Sequence, residues 1–120
     1  MPARLRLADP ATVAAALESR TAADDRLLVK HFLAALAERA PGNSVEVRVP
    51  PVAAVQVVPG VRHTRGTPPA VVETDIETWI AVASGELAWH DAVASGRVLA
   101  SGERTDLTPY LPLTRPTIED

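Results

Sequence analysis

Hydrophobic positions follow a helical period up to about residue 39, switch to strict alternation at residue 44 and return to the helical period near residue 75. Asp9-Pro10 supplies a helix entry, an N-cap acceptor followed by proline at the first helical position, and Val13, Ala16 and Leu17 then share a face. Arg20-Thr21 interrupts that helix. Thr21, with Asp24 and Asp25 in the first turn, starts a second one that Ala40-Pro41-Gly42-Asn43 stops. Its apolar stripe is Leu28, Phe32, Leu36 and Ala35, flanked by Val29 and Leu33, while Lys30, Glu38 and Arg39 point away and His31 sits on the flank.

From residue 44 the pattern is that of strands. Val45, Val47 and Val49 share one face and Glu46 and Arg48 the other; Pro50-Pro51 turns the chain, and Ala53, Val55 and Val57 alternate with Ala54, Gln56 and Val58. The short connection makes these two strands antiparallel neighbours. A loop then leads to a third strand over 70–73. Thr74 stands three residues before Glu77, the spacing of a reciprocal capping box, and Asp75 and Glu77 place negative charge at the start of the next helix. Ile76, Trp79, Ile80 and Ala83 recur at i, i+3, i+4 and i+7 on one face of that helix. Ser84-Gly85 ends it. A shorter helix over 88–95 carries Trp89, Ala92 and Val93, begins weakly because Ala88 cannot cap, and stops at Gly96. The strand 97–101 sets Val98 and Ala100 against Arg97, Leu99 and Ser101; 106–113 holds at most one turn of helix.

The order helix, helix, strand, strand, strand, helix, helix, strand predicts an α+β fold: a mostly antiparallel sheet of four to five strands covered on one face by helices. The expected layout is one domain over residues 1–120, with N-terminal helices over 1–43, sheet and covering helices over 44–113, and a tail over 114–120. At 120 residues the chain supports one core. An aromatic fraction of 3%, from Phe32, Trp79, Trp89 and Tyr110, means that this core is built mainly of Ala, Val and Leu.

A net charge of -3, with no basic helix or aromatic-interleaved basic stripe, gives no reason to expect nucleic acid or an anionic membrane surface as a partner. The absence of cysteine removes disulfides, thiolate metal sites and a cysteine nucleophile together. The first residues do not form a signal peptide and no apolar run reaches the length of a membrane span, so no stable membrane insertion and a cytoplasmic location are expected.

Residues 70–102 carry a resemblance. VVETD, a Trp-bearing helix, SGELAW, AVASGRV and ASG follow one another in this order, with Asp75, Trp79, Gly85, Leu87, Ala92-Val93 and Gly96 at the distinguishing positions. In these motifs the chain resembles the sterol carrier protein type-2 family, in particular its small bacterial, actinobacterial-looking branch. The loop 62–69 and the ending 106–113 are similar to that branch too, so the resemblance covers roughly 44–113. It implies a curved, mostly antiparallel sheet covered by helices around an apolar tunnel for fatty acyl chains, acyl-CoA or sterols. On this chain it implies that Ile76, Trp79, Ile80, Leu87 and Val93 line the cavity together with Val47, Val55 and Val57. The sequence is shorter between its strands than the larger eukaryotic members, and it ends in a Pro-rich segment where those members place a tunnel-closing helix.

Candidate chemistry beyond this is sparse. Trp79 and Trp89 either present indole faces to a ligand or fill the core, and helical spacing with Ile and Val favours the core. Arg62, His63 and Arg65, beside Gly66, offer a planar donor fork and accessible backbone N–H groups for a carboxylate or phosphate headgroup, or else pair with Glu73, Asp75 or Glu77. His31, His63 and His90 stand on different elements without metal-ligand spacing. No nucleophile elbow, dinucleotide fingerprint or phosphate loop occurs, so neither cofactor nor metal is expected. The expected function is a non-catalytic binding module for a small apolar ligand such as a fatty acyl chain. The alternative is an accessory or interaction domain with a filled core, working as a homodimer or beside a partner enzyme, as in domains appended to mycothiol-dependent maleylpyruvate isomerase-like proteins. An enzyme using His63 or His90 ranks last.

Overall fold

The computed structural model describes residues 5–60 and 70–114. Its elements run α1 (Pro10–Ser19), α2 (Ala22–Arg39), β1 (Val45–Val49), β2 (Ala53–Val57), β3 (Ala70–Thr74), α3 (Ile76–Ser84), α4 (Trp89–Ala94) and β4 (Val98–Ser101), with a closing 3-10 turn at Thr108–Tyr110. Each helix of the sequence reading is present, and the caps explain most of the boundaries. Asp9 accepts from the N–H groups of Ala11 and Thr12, and Pro10 opens α1. Arg20 then adopts a left-handed conformation that ends α1, and Thr21 begins α2 with a complete capping box to Asp24.

The start of α3 differs from the expectation. The N-cap is Asp75, whose carboxylate accepts from the backbone N–H of Thr78 at 2.8 Å and from its hydroxyl at 2.9 Å. Thr74 is still in β3, paired with Val98, and its hydroxyl donates to the Arg97 carbonyl at 2.9 Å. Two adjacent residues were eligible caps, and strand pairing claimed the first. Burial pushes the Asp75 carboxyl up, but the two Thr78 donors outweigh it and hold the group below the usual carboxylate range. Its contribution is therefore present above the unfolded-state value and lost as pH falls through the folded one. Asp75→Ala is expected to lower stability by about 1–2 kcal/mol in urea unfolding while Asp75→Asn, an equally good cap, stays near the native value. Equal losses from both would show that the charge rather than the cap matters.

The strands form one open sheet in the order β2-β1-β3-β4. β1–β2 and β3–β4 are antiparallel, as the sequence suggests, whereas the central β1–β3 pair is parallel, so the sheet is mixed. The chain leaves the outer strand β2 and returns beside β1 in the same direction, which a nearest-neighbour reading of strand order does not foresee. Register places Val57, Val45 and Ala70 in one row of the helix-facing side and Val55, Val47, Val72 and the exposed Ala100 in the next. The opposite face carries Glu46, Arg48, Glu73 and the 65% exposed Leu99, with Arg48 donating to Glu46 at 2.7 Å. Helices accordingly cover one face only. α2 packs against β2 and α3, α1 packs against α2, and α4 packs against β4.

The core between these layers joins Leu28, Val29, Phe32, Leu33 and Leu36 of α2 to Val45, Val47, Val49, Val57 and Val72 of the sheet and to Trp79 and Ile80 of α3. In α2 the buried small residue is Ala34, and Ala35 is only partly buried. After β4 the chain returns across the helices. Leu107 and Leu113 are buried, Arg39 Nη1 donates to the carbonyls of Tyr110 and Pro112 at 3.1 and 2.8 Å, and the Leu113 N–H donates to the Ala83 carbonyl at 2.7 Å. This closing segment is thus pinned to the ends of both α2 and α3.

Candidate functional site

The side chains that the resemblance assigns to an apolar cavity fall into three environments. Val47, Val57, Trp79 and Ile80 are fully or almost fully buried within one hydrophobic cluster. Trp79 is the largest fully buried side chain, and its indole N–H donates to the Val29 carbonyl of α2 at 3.3 Å. Val55, Ile76 and Leu87 are partly buried and pack against that cluster from its edges. Val93 lies 40% exposed on α4, away from the helix–sheet interior, because α4 turns Ala92 and Trp89 inward instead. Arg62, His63 and Arg65 lie outside the described residues. Of the carboxylates offered as their partners, Glu77 meets Arg20 at 2.5 Å, Glu73 lies 4.0 Å from Arg48, and Asp75 caps α3.

Among the described residues, concave surface occurs at other places, two of which are clefts beside the helices. A cleft of about 260 Å³ runs between α4, β4 and the 3-10 turn, with Trp89, His90, Val93 and Asp106 in its wall. A larger one, about 430 Å³, opens between α1, α2 and the closing segment. Val13 and Leu17 of α1, Phe32 and Ala35 of α2, and Leu113 give it an apolar wall. Leu7, Pro10, Glu38, Arg39 and Thr114 also line this cleft. Of these two, the larger falls within the range of roughly 300–1,000 Å³ typical of small-molecule sites.

The larger cleft follows from the chemistry of its walls. α1 presents Ala14 and Leu17 beside Val13, and α2 presents Ala35 in the turn after Phe32, so two alanines lie where larger residues would close the space. Arg39 is held by backbone carbonyls through Nη1, which keeps its cationic head at the rim. His31 forms part of the wall, its ring edge-on to Phe32 with centroids 5.2 Å apart, and its Nδ1 accepts from the Ala8 N–H at 2.9 Å. This hydrogen bond fixes the tautomer with the proton on Nε2. Partial burial holds the imidazole below its usual range. The sequence reading left His31 on the flank of its helix. Its partner is a backbone N–H 23 residues away, which no side-chain pattern announces.

Among the described residues no group of three or more His, Asp or Glu side chains converges to hold a metal ion, and no helix is long and apolar enough to cross a membrane. The chemistry of the larger cleft is that of apolar contact with one acidic and one basic side chain, Glu38 and Arg39, and among the described residues no nucleophile paired with a base stands in its wall.

Among curated proteins none matches this sequence. A family model described as a bacterial SCP ortholog matches residues 19–113, which takes in every element from α2 to the 3-10 turn. That span is most of the chain and includes all the motifs of residues 70–102, and on this ground the chain belongs to the bacterial SCP ortholog family, a sterol carrier protein-like group.

Proposed function

We propose that this protein is a non-catalytic carrier of a small apolar molecule, such as a fatty acyl chain, seated in the cleft between α1, α2 and the closing segment. The observation that carries the reading is the 430 Å³ volume behind an apolar wall, with Arg39 among its lining residues as a cation that a ligand's polar head could meet. Roughly ten buried methylenes contribute about 8 kcal/mol, the free energy of a micromolar complex. Association costs then put the expected affinity at micromolar or weaker, suited to a carrier that must also release. Membership of a sterol carrier protein-like family agrees with this class of ligand.

The test is fluorescence titration with N-phenyl-1-naphthylamine followed by displacement with a long-chain fatty acid. Saturable binding is expected in the native chain, and Ala14→Trp, which adds bulk from an exposed position of the cleft wall, is expected to weaken it by at least about tenfold with the circular dichroism unchanged. The reading fails if the native chain shows no saturable uptake.

A second reading has its own support. Val45, Val47, Val49, Val57, Val72 and Trp79 all have 0% exposure, which is what an accessory domain with a filled core requires. On that reading the probe does not bind, and the chain works through its surface as a dimer or beside an enzyme.

A further inference from the structure

The segment over residues 5–9 precedes α1 and brings Leu7 to the cleft wall. Leu5 and Ala8 pack against the core cluster, Leu7 is 45% exposed and turns part of its side chain to the cleft, and Asp9 and Pro10 start α1. One hydrogen bond from this segment to α2 is described, that from the Ala8 N–H to His31 Nδ1. The acceptor is a titratable ring that is itself part of the cleft wall. We propose that residues 5–9 form a strap over the cleft, latched by neutral His31 and released when that imidazole takes up a proton. The proposal rests on the reading of this cleft as the ligand site; the strap lies outside the span 19–113 that the family model matches, and its latch, His31, lies within it.

Protonation converts Nδ1 from an acceptor to a donor, so two N–H groups then face each other and the Ala8 N–H loses its partner. The charge would also have to be held in a partly buried apolar wall, which favours moving the strap aside over keeping it. The sign follows from linkage. A histidine whose folded value is depressed keeps its contribution above the unfolded value, near 6.5, and loses it as pH falls through the folded one. Among the described residues, Glu38 and Arg39 on α2 line the same cleft, Arg6 and Asp9 belong to the strap, and α1 and the closing segment bring no ionisable side chain to the wall. Asp9 is occupied as the N-cap of α1, and Arg39 is tied to Tyr110 and Pro112. The comparison with His31→Asn, rather than the choice of pH window, isolates the contribution of this ring.

Two measurements on the full chain decide the matter. The first follows the Ala8 amide by NMR between pH 8 and 5 without ligand. Its resonance and hydrogen exchange are expected to titrate with the His31 ring in the native chain and to stay flat in His31→Asn, whose amide oxygen supplies a non-titrating acceptor near the position of Nδ1. The second compares N-phenyl-1-naphthylamine affinity at pH 7.5 and 5.5. About fivefold weakening is expected for the native chain, the factor carried by one net hydrogen bond, and none for His31→Asn. An Ala8 amide indifferent to pH while the His31 ring titrates would overturn the strap, and the native chain alone suffices for that reading. A titrating Ala8 amide in a chain that binds no probe at any pH would uphold the latch and refute the cleft as a ligand site.

Discussion

Replacing Trp79 with alanine is expected to remove about 3–5 kcal/mol of stability, the usual cost of deleting a fully buried indole. Against a total of about 5–15 kcal/mol that is a fifth or more. The residue is a bolt between layers: α3 delivers the ring inward, α2 receives its N–H at the Val29 carbonyl, and the valines of β1 belong to the same cluster. Trp79→Phe keeps most of the ring volume and gives up the hydrogen bond, so it is expected to cost much less. Guanidinium unfolding monitored by far-ultraviolet circular dichroism measures both. Near-native stability in Trp79→Ala would mean that the helix–sheet interior is loosely filled, and would favour the position that the family resemblance assigns to the cavity. The same variant carries a second consequence. If its interior gains affinity for N-phenyl-1-naphthylamine that the native chain lacks, the space between sheet and helices is one that the indole fills in the native protein.

That experiment bears directly on what the sequence could say. Periodicity and capping residues are local, and they located every helix and strand, because Pro10, Thr21, Gly85 and Gly96 act on their immediate neighbours. The cap of α3 was misplaced by one residue since Thr74 and Asp75 are both good acceptors, and only the pairing of Thr74 with Val98 decides between them. The parallel β1–β3 pair was not legible because strand order across a sheet depends on where a long connection returns, and alternation looks the same in either direction. Val93 shows the corresponding limit for a helix of six residues. Trp89, Ala92 and Val93 fit an apolar arc about equally well, and packing against β4 chose the first two. The candidate cleft was the least legible feature, since its walls come from α1, α2 and the closing segment, and its volume arises where alanines leave space. His31 entered it through a backbone donor. Fold class was thus readable from local signals, whereas the site depends on juxtapositions that only the folded chain creates.

Gly42→Ala is expected to be as damaging as the loss of the core tryptophan, although it adds one carbon at an exposed turn. A Cβ at this position would stand 2.2 Å from the Val58 carbonyl oxygen, 2.5 Å from its carbon and 2.7 Å from the Pro59 nitrogen, all of them backbone atoms that cannot rotate away. The residue also has φ +151°, which side-chain-bearing residues rarely adopt. The carbonyl it would strike is a hub. It accepts from the Ser44 N–H at 3.2 Å and the Ser44 hydroxyl at 2.6 Å, while the Val58 N–H donates to the Ala40 carbonyl at 2.6 Å at the end of α2. Moving Val58 therefore loosens the junction at which α2 enters the sheet, and a cost of about 3 kcal/mol or more follows, the upper end of local backbone strain. Gly96→Ala provides the control, because its φ is +80° but a Cβ there meets nothing within 4 Å. It is expected to lose only about 1 kcal/mol, the conformational part alone. Urea midpoints of the two variants separate the effects: a Gly42→Ala loss no larger than that of Gly96→Ala would show that the turn yields to the added carbon and that the α2–sheet junction is not held at Val58.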